Sequence, residues 1–284
     1  MGEVWEARHS LLGRSAAIKV LHPRYSSEPE IVARFFNEAR AATAVADPGI
    51  VQIFDFGHHN DGSAYIVMEM LQGETLEHRL RHSGPQRWPD ALRLVRQIAS
   101  ALAAAHAHGI VHRDLKPENL FVVADPEVAG GERIKVVDFG IAKLVGDDTV
   151  KTQTSAVMGT PLFMSPEQCR GAGMVEQRSD VYSLGCVLFA LLTGRPPFVA
   201  DGIGDIIAMQ LREPAPPPSH RVAGLPMAVD QLTLQCLEKE PSHRPSMSAV
   251  AMRIDYILGT VGALAASDVA HARVRRATPP WHKG

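Results

Sequence analysis

Cysteine is scarce: Cys169, Cys186 and Cys236 are the only three in 284 residues. Thiols so scattered make neither a disulfide framework nor a zinc knuckle, and a reducing compartment is their simplest setting. Neither sign of charge is in excess. Lys plus Arg number 29 and Asp plus Glu 31, a net of −2, so the chain as a whole has no electrostatic pull toward nucleic acid or anionic lipid. The opening Met1-Gly2-Glu3-Val4-Trp5-Glu6 lacks the basic stretch and apolar run of a secretory signal. Glu6 stands where a myristoylation motif needs Ser or Thr. A membrane-crossing helix needs about 20 apolar residues, and the best runs, Val181 to Leu192 and Tyr256 to Ala266, fall well short. A soluble chain is expected. What is present is ordinary: 45% hydrophobic and 21% charged residues, enough for a core and incompatible with a largely disordered chain, a collagen or a coiled coil. At about 150 residues per domain, the length allows one large domain or two modest ones.

The texture changes along the chain. The first 70 residues read as strands around one helix. Ala16 to Leu21 is a short apolar run with a lysine inside it. Glu28 to Val45 has helical spacing, with Ile31, Phe35, Ala39 and Ala42 on one face and Ser27 as the expected N-cap. Ile50 to Phe56 and Tyr65 to Met70 read as strands joined by Asn60-Asp61-Gly62-Ser63. From residue 74 long helical patterns dominate: Pro89 to His106, Ser179 to Leu192, Met227 to Leu237 and Ser246 to Leu258. Short strands are expected at Leu120 to Val123 and Ile134 to Val137, and an irregular connector at Pro214 to Pro218. A small β-rich part followed by a larger helical one is a natural place for a ligand cleft.

Four motifs stand in order. Lys19 lies in Ala17-Ile18-Lys19, on a strand. His112-Arg113-Asp114-Leu115-Lys116-Pro117-Glu118-Asn119 follows. Asp138-Phe139-Gly140 ends a strand pattern, and Ser165-Pro166-Glu167 comes last. One Asp-Phe-Gly alone would mean nothing; four motifs in sequence, each in a matching strand or loop, are specific. On these residues the chain resembles the eukaryotic-like (Hanks-type) serine/threonine protein kinases, in their bacterial branch. The resemblance implies an α+β, two-lobed protein-kinase-like fold with a small β-rich N-lobe (about 1–70), a hinge at 69–73 and a larger helical C-lobe (about 74–258). Residues 259–284 are then a tail or linker.

The same resemblance assigns roles. Phosphoryl transfer from ATP demands positioning and charge neutralisation more than covalent chemistry. Lys19 holds the α- and β-phosphates, and Glu38 on the following helix fixes its ammonium. Asp114 is the base for the acceptor hydroxyl, and Lys116 reaches the γ-phosphate. Asn119 and Asp138 offer oxygens to Mg²⁺, for which Mn²⁺ can substitute. Val4 and Ala17 cover the adenine, Phe121 underlies it, Met68 is the gatekeeper, and the backbone of Glu69 to Leu71 reads its edge. Asp180 holds the backbone of the catalytic loop, and Glu167 pairs with Arg244. His106, His108 and His112 are spaced i, i+2, i+6, which does not place all three on one helical face, so structural roles are expected for them.

Between Asp138 and Glu167 lies a segment of activation-loop length with Thr149, Thr152, Thr154, Ser155 and Thr160. Thr152 and Thr154 resemble the autophosphorylated pair of bacterial receptor kinases, and Arg113 can bind such a phosphate. Thr160 resembles the residue that braces Asp114 and Lys116. The expected partners are protein substrates bearing Ser or Thr and a transient homodimer for phosphorylation in trans. The expected location is the cytoplasm, alone or as the cytoplasmic part of a membrane receptor.

One part of the family pattern is missing. Of the Gly-rich loop over the phosphates, Gly2 matches the last glycine and Val4 the valine, while the first two glycines and the strand before them are absent. An upstream start is one expectation. The alternative is weakened nucleotide binding, which keeps a pseudokinase or an inactive receptor fragment as the rival reading.

Overall fold

The computed structural model describes residues 2–139, 161–171 and 175–260. Thr149, Thr152, Thr154, Ser155, Thr160, Gly140 and the tail from 261 lie outside the described residues.

An upper sheet holds four antiparallel strands, β1 (Gly2–Arg8), β2 (Ser15–Leu21), β3 (Ile53–His58) and β4 (Ala64–Glu69), in the order β1-β2-β4-β3. Residues two apart share a face of a strand, so Ala17, Lys19 and Leu21 of β2 point the same way. A one-turn helix α1 (Pro23–Ser26) leads to α2 (Pro29–Thr43), which packs Val32, Phe35 and Ala39 against Leu21, Ala64 and Ile66 to close a small core.

Ser27 does not cap α2. It ends α1 and bonds Arg24 O through its hydroxyl. The start of α2 is set by Pro29, whose fixed φ suits the first helical position and pushes Glu28 into an extended conformation at the N-cap. The strand expected from Ile50 begins at Ile53. Ile50 and Val51 are apolar for another reason: they cross into the lower half, where Ile50 bridges Val136 and both are buried.

The lower half carries a three-stranded sheet, β5 (Gly73–Thr75), β6 (Leu120–Ala124) and β7 (Glu132–Val136), and seven helices among the described residues. These are α3 (Leu76–Ser83), α4 (Trp88–Ala107), α5 (Pro166–Arg170), α6 (Gln177–Thr193), α7 (Ile203–Arg212) and α8 (Met227–Cys236), followed by α9 over 247–260. Every residue of α6 from Ser179 to Leu192 is buried, which marks it as the central post of the C-lobe. Gly185 lets α8 approach it: a Cβ there would sit 2.9 Å from Cys236 Cβ. Apolar side chains of α4, α6, α8 and α9 form the main core.

Candidate active site

The site lies between the two sheets. β2 and β4 supply its roof, β7 and the 111–119 loop its floor. Two non-glycine residues among those described have positive φ, Arg113 (66°) and Asp138 (55°). Such backbone costs energy and persists only where surrounding bonds enforce it.

Those bonds start from the first turn of α6. Asp180 is 1% exposed, and its carboxylate accepts three donors: His112 N (2.8 Å) and His106 Nε2 (2.7 Å) at Oδ2, and Arg113 N (2.8 Å) at Oδ1. His112 Nε2 donates to Val137 O (3.1 Å), and Asp114 N donates to His112 Nδ1 (3.2 Å). That pattern fixes the neutral Nε2–H tautomer. Burial also pushes the His112 pKa below its ordinary value, against the opposing pull of Asp180 and Asp114. The ring packs 4.9 Å from that of buried Phe139. The three histidines thus go to three places, with His108 bonded to Ala104 O.

Three residues of the loop meet. Asn119 Nδ2 donates to Asp114 O (2.8 Å) and Asp114 Oδ2 (3.3 Å), and Lys116 Nζ stands 3.6 Å from Asp114 Oδ2. Asn119 is 7% exposed and spends its amide N–H on Asp114, which turns its oxygen away from that bond. Across the cleft Lys19 Nζ pairs with Asp138 Oδ1 at 2.7 Å. The expected partner of that ammonium, Glu38, lines the same cavity as Lys19 and Asp138, with Ile66, Met68 and Phe139.

The remaining expected residues surround this pair. Val4 lies in register with Lys19, and Ala17 with Met68. Phe121 lies opposite Lys135 on the lower sheet, and Leu71 sits half-buried in the connection between the sheets. Gly2 is constrained: a Cβ there would fall 2.3 Å from Val20 O. Sequence reasoning missed how Glu69 is held. Its Oε1 accepts from Lys135 Nζ (2.6 Å) and Gln52 N (2.8 Å), which ties the upper sheet's last strand to β7.

Below the loop, Ser165 and Gln168 form a capping box at the start of α5, and Gln168 Nε2 donates to Arg113 O (2.6 Å). Glu167 and Arg244 form a buried two-pronged pair at 2.7 and 2.9 Å, to which Ser179 Oγ adds a bond of 2.6 Å. Burial pushes the Glu167 carboxyl up, yet Arg244 and Ser179 together hold it below its ordinary value. Arg113 is different. Burial pushes its guanidinium down, and its buried Nε has no hydrogen-bond partner among the described residues.

Comparison with known proteins agrees with this geometry. The family description "Protein kinase domain" matches residues 1–257. This chain belongs to the protein kinase family. The kinase domain is 41% identical over 260 residues to the serine/threonine-protein kinase PknB of Mycobacterium leprae, covering 90% of this chain and 40% of that protein. It is 39% identical to the serine/threonine-protein kinase pkn3 of Myxococcus xanthus, covering 90% of this chain and 47% of that one. The chain therefore spans less than half the length of these curated relatives. The kinase domain of Mycobacterium tuberculosis PknI, solved as a single-site mutant, superposes with a TM-score of 0.68 at 26% identity over 90% of each chain. Among the described residues no helix is long and apolar enough to cross a membrane.

Proposed function

We propose that this kinase domain transfers the γ-phosphate of ATP to serine and threonine hydroxyls of proteins. The observation that carries the reading is the pairing of two acid sites across one cleft. Asp114 is clasped by Asn119 and Lys116 below, and Asp138 is held by Lys19 above. In the step, Asp114 accepts the proton of the acceptor hydroxyl while that oxygen bonds to the γ-phosphorus. The bond from the γ-phosphorus to the bridging oxygen breaks, and ADP leaves. Lys116 and Lys19 supply positive charge to the phosphate oxygens.

A divalent cation, Mg²⁺ by preference, suits the donor set. Asn119 and Asp138 present the hard oxygens such a cation takes, and the amide of Asn119 is oriented with its nitrogen on Asp114. When bound, that cation neutralises phosphate charge. Val4, Ala17, Met68 and Phe121 bind the adenine ring, the backbone of Glu69 and Leu71 reads its edge, and Glu38 shares the Lys19 ammonium. Gly2 brings its backbone close to the phosphates.

Regulation follows the same electrostatics. The orphan Nε of Arg113 suits a phosphate on Thr152 or Thr154, and Thr160 braces the Asp114–Lys116 pair. Such a phosphate is added in trans by a transient second copy. The domain works in the cytoplasm, alone or as part of a larger receptor. The test is incorporation of labelled phosphate from ATP. Asp114→Asn should lower it by roughly a thousandfold, and Thr152→Ala with Thr154→Ala should lower the rate severalfold. Equal incorporation by the wild type and Asp114→Asn would sink the reading.

A further inference from the structure

A second polar network lies under the C-lobe, away from the nucleotide residues. Its centre is Gln210 on α7, which is 0% exposed. A buried glutamine costs free energy unless its amide is fully bonded. Here the bonds run to one destination. Gln210 Nε2 donates to Pro161 O (3.0 Å) and Leu162 O (3.1 Å). Its Oε1 accepts from the hydroxyl of Tyr182 (2.6 Å), itself fully buried on α6. Lys239 Nζ donates to that hydroxyl (2.9 Å) and to Gln210 O (2.9 Å), and stands 4.4 Å from the centre of the Phe198 ring. Ser183 Oγ adds a bond to Phe163 O (2.7 Å).

All three carbonyls of the turn at 161–163 are thus fixed by side chains of α6 and α7. The turn leads directly into α5, whose Gln168 bonds the carbonyl of Arg113, the residue before Asp114. An acceptor segment that brings its hydroxyl to Asp114 must lie beside this stretch. Leu162 and Phe163 are half-buried, Phe163 packing its inner side against the C-lobe core.

We propose that Gln210, wired through Tyr182 to Lys239, is a positioning residue for the protein substrate: it sets the turn at Pro161–Phe163 against which the acceptor docks. This rests on the reading of Asp114 as the base. Gln210→Glu tests the effect: it keeps the shape and the acceptor for Tyr182, and it replaces the two N–H donors to the turn with a carboxyl oxygen beside the Lys239 end of the network.

The experiment is steady-state kinetics with myelin basic protein and ATP varied separately, alongside thermal melting. Gln210→Glu should raise the KM for myelin basic protein about fivefold, with the KM for ATP and kcat within about twofold of wild type. Tyr182→Phe, which loosens the same amide and removes one hydroxyl, should raise it about twofold in the same selective way. Should Gln210→Glu fail to fold, Tyr182→Phe decides the matter. An unchanged KM for myelin basic protein in an active, folded variant overturns the positioning role alone, as does an equal rise in both KM values. A wild type that transfers no more phosphate than Asp114→Asn overturns the kinase reading, and the positioning role with it.

Discussion

His112 is held neutral by two hydrogen bonds that use its nitrogens in opposite senses, one donating to Val137 O and one accepting from Asp114 N. Its folded pKa is pushed below the ordinary 6.5. The sign of the pH dependence follows. Below pH 6.5 the unfolded chain takes up a proton that the folded chain refuses, so stability is lost as pH falls from 6.5 toward the folded value. In an NMR titration the His112 imidazole should take up its proton below the ordinary histidine range; a His112 signal that titrates at the ordinary 6.5 contradicts the tautomer. Asp180 takes three donors on a carboxylate that is 1% exposed. Asp180→Ala should destabilise the domain by about 3 kcal/mol, because it orphans buried donors, and should lower kcat more than the KM for ATP. Melting and initial rates check both.

At the scale of elements, α5 is anchored to the C-lobe by the Glu167–Arg244 pair rather than by length. Breaking one side of a buried pair leaves the other charge stranded. Glu167→Gln and Arg244→Met should each cost about 3–5 kcal/mol in denaturant unfolding, and a cost below about 1 kcal/mol would show that the pair is dispensable. The chemistry of the cleft was legible in the sequence because phosphoryl transfer needs particular side chains at fixed places on short motifs: Lys19, Asp114, Asn119 and Asp138 announce themselves. So did the long helices α4 and α6, whose apolar patterns are strong. Elements with weak local signals were not legible. α3 has one buried residue, Leu76, and α7 buries only Ile206 and Gln210. Ser27 misled because Pro29, two residues on, decides where α2 begins. Lys135 and Gln210 were missed because their partners lie 66 and 49 residues away, and no local pattern encodes a contact across such a distance.

Over the whole molecule, two ion pairs among the described residues link the lobes, beside the backbone bonds of residues 49–51 with Val136. Lys19–Asp138 crosses the front of the cleft, and Glu69–Lys135 crosses behind it. Lys135→Met should leave the fold intact and alter the KM for ATP severalfold, since the hinge strand loses its anchor; an unchanged KM would place Lys135 outside nucleotide binding. The catalytic loop, by contrast, hangs on the C-lobe, through Asp180 and Gln168. That division gives Asp114 a rigid base and leaves Lys19 on the smaller, separately packed sheet. The most direct measurement of the central claim is phosphate transfer from ATP to a protein acceptor by the wild type and by Asp114→Asn at equal concentration. The account predicts steady incorporation on Ser and Thr by the wild type and roughly a thousandfold less by the variant. Equal incorporation by the two proteins, or none by either, would contradict it.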